Sequence, residues 1–348
     1  MTDVFAGLPG ALLPWYEKNR RDLPWRADRE PYHVWLSEIM LQQTRVEAAR
    51  SYYLRFLAAL PSVADLAAAG ADALHKLWEG LGYYSRVRNL HAAAQRIEAE
   101  YGGVFPSDYA SVRALPGVGD YTAGAVCSIC FGLPTPAVDG NVLRVCARLT
   151  EDASPVTDAK FRARIAASLA AVYPAGRCGD FTQSLMELGA LVCLPNGAPR
   201  CDECPCAAFC AARAHGTAGH YPVRPERKPR REEKKTVFLL RCGDRWAVRK
   251  RPARGLLAGL WEFPNLSGTL APQEALDAAT AMGAQPRNLE KSQEKTHVFT
   301  HVFWHLRGYT ISCAAMPEQF SWATEEELER DYALPTAFRQ FRSSAEPL

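Results

Sequence analysis

The sequence predicts a mainly α-helical N-terminal region followed by a smaller α+β domain. Three observations carry this expectation. Apolar residues recur at helical spacing from near the start to about residue 215, a charged, proline-rich stretch at 220–235 breaks the composition, and strand-like patterns appear only beyond it. At 348 residues the chain exceeds one typical domain and suffices for two cores.

In the first half, Val46, Ala49, Tyr53, Phe56, Leu57 and Leu60 fall on one helical stripe. Asp72 is placed to cap a helix carrying Leu74, Leu77, Trp78 and Leu81, with Gly82 as its stop. Ser85 opens the next helix, with Val87, Leu90, Ala94 and Ile97 inward and Gly102-Gly103 as the terminator. Further helical patterns run through 107–115, 120–131, 140–149, 158–172 and 180–193. A helical domain over 1–220, a tether over 221–234 and a second domain over 235–348 follow. In the latter, TVFLL, a CGD turn and WAVRK read as a hairpin, HVFTHVFWHLRGYTIS as a strand region, and QEALDAATAM and TEEELERDY as helices.

Composition is that of a soluble globular protein, with 48% apolar and 23% charged residues. No segment nears the roughly 18 uninterrupted apolar residues of a membrane span, and the first residues lack a signal-peptide pattern. No membrane partner and a cytoplasmic, nucleoid-associated location are expected. The net charge of +3 permits a nucleic-acid partner without requiring one. In such a compartment the eleven cysteines should be thiols or metal ligands rather than disulfides.

Four elements carry chemistry. LPGVGDYTAGAV (115–126) places Pro116-Gly117-Val118-Gly119 between two helices, with Asp120 as the expected cap of the second. Such a helix–hairpin–helix lets backbone approach a phosphate, with Gly117 and Gly119 keeping side chains out of the way; an ordinary interhelical turn is the plainer alternative. Asp139, in VDGNVLRVCARL, stands just before a helix, where an N-cap is its commonest role. Glu38 lies among Trp35, Leu36, Ile39, Met40 and Leu41; it is either a helix-surface glutamate or a carboxyl whose pKa apolar surroundings raise toward neutrality. A carboxyl pair suits glycosidic cleavage, one protonating the leaving group and the other facing the developing cation. Finally, Cys193-x7-Cys201-x2-Cys204-x5-Cys210 suits a [4Fe–4S] cluster, with zinc second, and Cys206 is a spare thiol within the loop.

In this order the motifs resemble the MutY-type adenine DNA glycosylases of the endonuclease III superfamily. The resemblance rests on WLSEIMLQQTRV, GLGYYSRVRNLH, LPGVGDYTAGAV, VDGNVLRVCARL, FTQSLMELGALVC, the cysteine loop and GLLAGLWEFP, and covers nearly the whole chain. It implies a helix–hairpin–helix glycosylase domain with a [4Fe–4S] loop at 193–210, then a Nudix-like domain that reads 8-oxoguanine. It further implies that Glu38 protonates adenine and Asp139 stabilises an oxocarbenium ion, with Tyr121 and Asn141 in support. Trp25, Arg26 and Gln183 match positions lining the adenine pocket; Gln43 and Tyr83 match residues that wedge beside 8-oxoguanine; Phe299, Thr300 and His301 match a Phe-Ser-His recognition loop. The implied partner is double-stranded DNA with an adenine:8-oxoguanine mispair, and the implied state is a monomer.

Four positions qualify the resemblance, two of them departures from the family pattern. Tyr121 stands where bifunctional relatives carry a Schiff-base lysine, so base removal without efficient strand cutting is expected. Thr300 replaces the usual serine, and the first cysteine gap is seven residues where the family usually has six. Around GLLAGLWEFP there is no run of glutamates to hold magnesium, which favours recognition over Nudix hydrolysis. A bifunctional pyrimidine-lesion glycosylase and a non-catalytic iron–sulfur DNA-binding protein are the alternatives.

Overall fold

A computed structural model describes residues 2–225 and 229–342. By internal contacts the chain divides into two units. The first comprises Met1–Ala68 and Asn89–Glu226, and the second Ala69–Arg88 and Arg227–Leu348. The second unit therefore includes a piece of the region that the sequence assigns to a single helical domain over 1–220.

The helices in chain order are α1 (Thr2–Ala6), α2 (Leu8–Asn19), α3 (Pro31–Leu41), α4 (Val46–Ala59), α5 (Val63–Ala68), α6 (Ala71–Leu77) and α7 (Ser85–Tyr101). They continue as α8 (Tyr109–Ala114), α9 (Asp120–Phe131), α10 (Gly140–Thr150), α11 (Ala159–Ala170), α12 (Cys178–Leu191) and α13 (Ala211–Ala214). Helix α3 is buried from Val34 to Met40 without a break, because its sequence is apolar on nearly every side. Helices α10 and α12 share a core through Leu143, Cys146, Phe181, Leu185 and Leu188. Their close approach depends on Gly189, where a Cβ would lie 2.6 Å from that of Asn141.

Two expected caps fall differently. Gly70 is the N-cap of α6, while Asp72 sits in the first turn and pairs with Lys250. That helix stops at Leu77 rather than Gly82, since Gly80 and Gly82 both take positive φ and break the helical path. Gly119 is the N-cap of α9, so Asp120 is its first residue and pairs with Arg113 instead.

The second unit holds β1 (Arg231–Cys242), β2 (Arg245–Lys250), β3 (Trp261–Glu262), β4 (Asn265–Ser267), β5 (Pro286–Val298), β6 (Val302–Cys313) and β7 (Ser321–Ala323). It also holds α14 (Pro272–Ala281), α15 (Glu325–Asp331) and α16 (Thr336–Arg339). The sheet runs β3-β2-β1-β6-β5, with β4 on β1 and β7 on β2; β1 and β6 are parallel and β5 and β6 antiparallel. Alternation divides the sheet between two cores. Phe238, Leu240, Tyr309 and Ile311 pack on α14, while Val237, Leu239, Trp304 and Leu306 pack with Leu328 of α15 and Phe338 of α16. The TVFLL–WAVRK hairpin is β1 and β2, turning through Gly243 at φ 61°.

The expected tether over 221–234 is shorter in the structure. Strand β1 already begins at Arg231, where its backbone pairs in parallel with Val302. The charged residues 231–235 become strand because the ladder, not their composition, satisfies their backbone. Residues 226–228 of that stretch lie outside the described part. Among the described residues no helix is long and apolar enough to cross a membrane.

Candidate active site

The site in the first unit is assembled from α3, α9, α10 and α12. Glu38 projects from the buried helix α3 and is 6% exposed. The Tyr121 hydroxyl, from the first turn of α9, donates a short hydrogen bond to Glu38 Oε2 and also lies 3.9 Å from Met186 Sδ of α12. Burial pushes the Glu38 carboxyl up to about 7; the Tyr121 bond opposes that rise and the charge of Asp139 adds to it. The Tyr121 phenol is itself raised well above its usual range, chiefly by burial and then by the two carboxylates. It therefore acts as a donor near neutrality and not as a base.

Asp139 serves as both cap and candidate catalytic group. Its Oδ1 accepts from Val142 N at 2.7 Å, capping α10, and its Oδ2 accepts from Asn141 Nδ2 at 2.8 Å. Burial raises its pKa, while these donors favour the charged form. Asn141 is held in turn, since Arg144 Nη2 donates to its Oδ1 at 2.8 Å and to Gly189 O at 2.7 Å. Arg144 Nε donates to Cys193 O at 2.8 Å, and Arg148 Nη1 donates to Cys193 Sγ at 3.2 Å. A continuous set of hydrogen bonds thus runs from the Asp139 carboxylate to the first cysteine of the loop.

Cys193, Cys201, Cys204, Cys206 and Cys210 line one cavity, together with Arg148. The seven-residue gap does not remove Cys193 from it. Among the described residues no three ligating side chains converge on a point as they would around one ion. Thiols lining one cavity are a donor set of the kind that metal centres use. Cys206 is fully buried within the core and also reaches the cavity.

The remaining expected positions are spread over both units. Trp25 is buried in a turn at Pro24–Arg26, edge-on to Tyr53 at 5.5 Å. The Arg26 guanidinium meets Glu187 of α12 at 2.9 Å, and Arg21 meets the same carboxylate at 2.8 Å. Burial works against the Glu187 charge, yet hydrogen bonds from Arg21 and Arg26 hold its pKa at about 2. Gln183 is half-buried on α12, one turn before Glu187. Gln43 is exposed with φ 57°. Gly117 takes φ 75° with its α-carbon against Asn89, whereas Gly119 faces open space. In the second unit, the segment 299–301 is the turn between β5 and β6, which interrupts the expected strand region. Its Phe299 ring is tucked edge-on against Trp304 at 4.8 Å, leaving Thr300 and His301 exposed. Tyr83, also in the second unit, reaches Thr300 Oγ1 with its hydroxyl at 3.1 Å.

Sequence reasoning did not single out Glu187, Arg144 or Arg148. The available signal was spacing. Glu187 lies four residues beyond Gln183, and Arg144 three beyond Asn141, each on the same helix face.

Residues 36–167 match the HhH-GPD superfamily of base excision DNA repair proteins, and residues 236–343 match the NUDIX domain. The adenine DNA glycosylase of Schizosaccharomyces pombe is 31% identical over 412 residues, covering 97% of this chain and 89% of that protein. The chain belongs to the adenine DNA glycosylase family. The family member of Homo sapiens is 36% identical over 321 residues, covering 77% of this chain. One from Buchnera aphidicola is 33% identical, covering 73% of this chain and 72% of that one. The chain spans 58% of the human relative's length and 49% of that from Arabidopsis thaliana. Among solved structures, a thermostable thymine-DNA glycosylase aligns with TM-score 0.55 and 26% identity over 61% of this chain and 97% of that one. An endonuclease III–DNA complex aligns with TM-score 0.52 at 22% identity over 61% of this chain and 97% of that one, a likeness of fold.

Proposed function

We propose that this protein is a monofunctional DNA glycosylase that removes adenine mispaired with 8-oxoguanine. The observation that carries the reading is Glu38: a buried carboxyl with a pKa pushed to about 7, hydrogen-bonded by Tyr121 and facing the charge of Asp139. Near neutrality Glu38 holds a proton to give to adenine N7, which turns the base into a good leaving group. Asp139, whose charged form the hydrogen bonds from Val142 N and Asn141 favour against burial, faces the oxocarbenium ion as the glycosidic bond breaks. Glu38, now a carboxylate, then takes the proton of the attacking water. At Tyr121 a phenol replaces the amine that a strand-cutting Schiff base would need, which supports base removal alone.

Membership of the family supports adenine as the base and duplex DNA as the partner. Gly117 and Gly119, before the N-terminus of α9, suit backbone contact with a phosphate. Arg26, Trp25 and Gln183 form the proposed wall of the adenine pocket, with Gln43 and Tyr83 as wedges once the base leaves the stack. Thr300 and His301 supply the exposed polar groups for reading 8-oxoguanine, and Phe299 anchors their turn. The residues that would hold a [4Fe–4S] cluster are Cys193, Cys201, Cys204 and Cys210. When bound, it would crosslink the 193–210 loop and fix the carbonyl of Cys193 that Arg144 contacts.

The test is single-turnover excision on duplexes carrying adenine opposite 8-oxoguanine or opposite guanine, with Asp139→Asn alongside and strand cleavage scored before and after alkali. Fast adenine release, a nick that needs alkali, and loss of both in the variant are expected. Tight binding to both duplexes without release of adenine from either would sink the proposal.

A further inference from the structure

The turn between α6 and α7 holds three residues in the left-handed region: Gly80 (φ 96°), Gly82 (φ 73°) and Tyr83 (φ 49°). Glycine accepts this backbone freely, but the Cβ of tyrosine makes it costly. Burial of the ring does not compensate, since Tyr83 is 45% exposed. A side chain in that conformation persists where its surroundings over-determine it, and such residues gather at functional sites.

The restraint comes from Arg86. Its Nη2 donates to Leu81 O at 3.1 Å and to Gly82 O at 3.0 Å, the two carbonyls preceding Tyr83. Its guanidinium lies over the Trp78 ring at 5.3 Å and the Tyr83 ring at 5.5 Å. Trp78 Nε1 donates to the same Gly82 carbonyl at 3.0 Å. Arg86 is only 8% exposed, so a direct role on DNA phosphates does not suit it. Burial lowers its pKa to about 10, which leaves it cationic at neutral pH.

We infer that Arg86 is a positioning residue for lesion discrimination: it locks the 80–83 turn so that Tyr83 presents an exposed ring with its hydroxyl against Thr300. The inference rests on the proposed roles of Tyr83 and Thr300. Its chemistry is specific to arginine. A planar guanidinium can lie over two rings while one nitrogen bridges two carbonyls, whereas an ammonium is a compact point charge. With the guanidinium gone, the turn relaxes toward backbone angles that tyrosine prefers, and the Tyr83–Thr300 contact goes with it.

The experiment measures one ratio, the single-turnover excision rate opposite 8-oxoguanine over that opposite guanine. It uses full-length wild type, Arg86→Met, Arg86→Lys, Tyr83→Ala and the Tyr83→Ala/Arg86→Met double variant. The expected result is a loss of about tenfold in the ratio for Arg86→Met, within the range of coupled neighbours. Arg86→Lys should lose nearly as much, and carries the same test if the methionine variant does not fold. In the Tyr83→Ala background, Arg86→Met should cause no further fall, because the residue it positions is already gone. Losses that simply multiply would make Arg86 general scaffolding and overturn the inference. An unchanged ratio in both Arg86 variants, with a reduced one in Tyr83→Ala, would overturn the inference and leave the role of Tyr83 standing. An unchanged ratio in Tyr83→Ala would remove the premise, and the inference with it.

Discussion

At the scale of single residues, the proposed chemistry depends on where one proton sits. Glu38 is the acid only while protonated, and burial places its titration at about pH 7. Excision under single turnover should therefore fall as pH rises through 7, approaching about tenfold per unit above it. A rate constant that stays flat from pH 6 to 9 would rule out Glu38 as the proton donor. Tyr121 gives the prediction a second handle. Its hydroxyl donates to the Glu38 carboxylate and so favours the charged form, lowering the pKa. In Tyr121→Phe that bond is lost, the Glu38 pKa rises further, and the alkaline limb moves to higher pH even as the maximal rate drops. A limb that moves down or stays in place would mean that Tyr121 does not govern this proton. The apolar run around Glu38 left two readings open in the sequence, a helix-surface glutamate and a carboxyl with a raised pKa, and the burial of Glu38 favours the second. Glu187 was not legible, because a buried, fully paired carboxylate leaves no trace in periodicity and is revealed only by Arg21 and Arg26 closing on it.

At the scale of elements, the spans of helices α9 and α10 were readable almost to the residue, because Asp139 caps α10 and the Pro116–Gly119 turn stops just before α9, although the cap of α9 is Gly119 and not the expected Asp120. The ends of α6 were not. Asp72 resembles a cap in sequence, but the structure uses it to meet Lys250 from a strand far along the chain. Periodicity also says nothing about how closely two helices approach, and here that distance matters. Gly189 on α12 lies against Asn141, and an added Cβ would sit 2.6 Å from Asn141 Cβ and 3.2 Å from Arg144 Nη2. Gly189→Ala must push α10 away from α12, at about 1–3 kcal/mol for an overpacked core. The displacement acts on the Arg144–Asn141–Asp139 hydrogen bonds. Excision should therefore fall further than DNA affinity does, with a lower Tm. A variant with full activity and an unchanged Tm would show that this helix contact does not position Asp139.

At the scale of the whole molecule, the natural test of the second unit is to remove it, and the structure shows why that cut is not clean. The sequence places a tether over 221–234, since helical patterns cease near 215 and composition changes over 220–235. Residues 69–88 nonetheless belong with the later strands, a partnership that local pattern cannot reveal. Leu334 N donates to Glu79 at 2.9 Å, Lys250 meets Asp72 at 2.8 Å, and Arg88 donates to Ala258 O at 3.0 Å. Truncation after residue 230 strips these partners from 69–88, including Thr300 from Tyr83. The truncated protein should retain some adenine excision, show a lower Tm, and lose preference for 8-oxoguanine. That loss would mix two causes, an absent recognition turn and a disordered wedge. Thr300→Ala in the full chain separates them. The residue is exposed, so its removal should leave Tm nearly unchanged, while one lost hydrogen bond of about 1 kcal/mol reduces the 8-oxoguanine preference roughly fivefold. Thr300→Ser keeps the hydroxyl and should keep the preference. If Thr300→Ala discriminates as well as wild type while the truncation does not, lesion reading belongs to the 69–88 segment or to the rest of the second unit, and not to the hydroxyl of the β5–β6 turn.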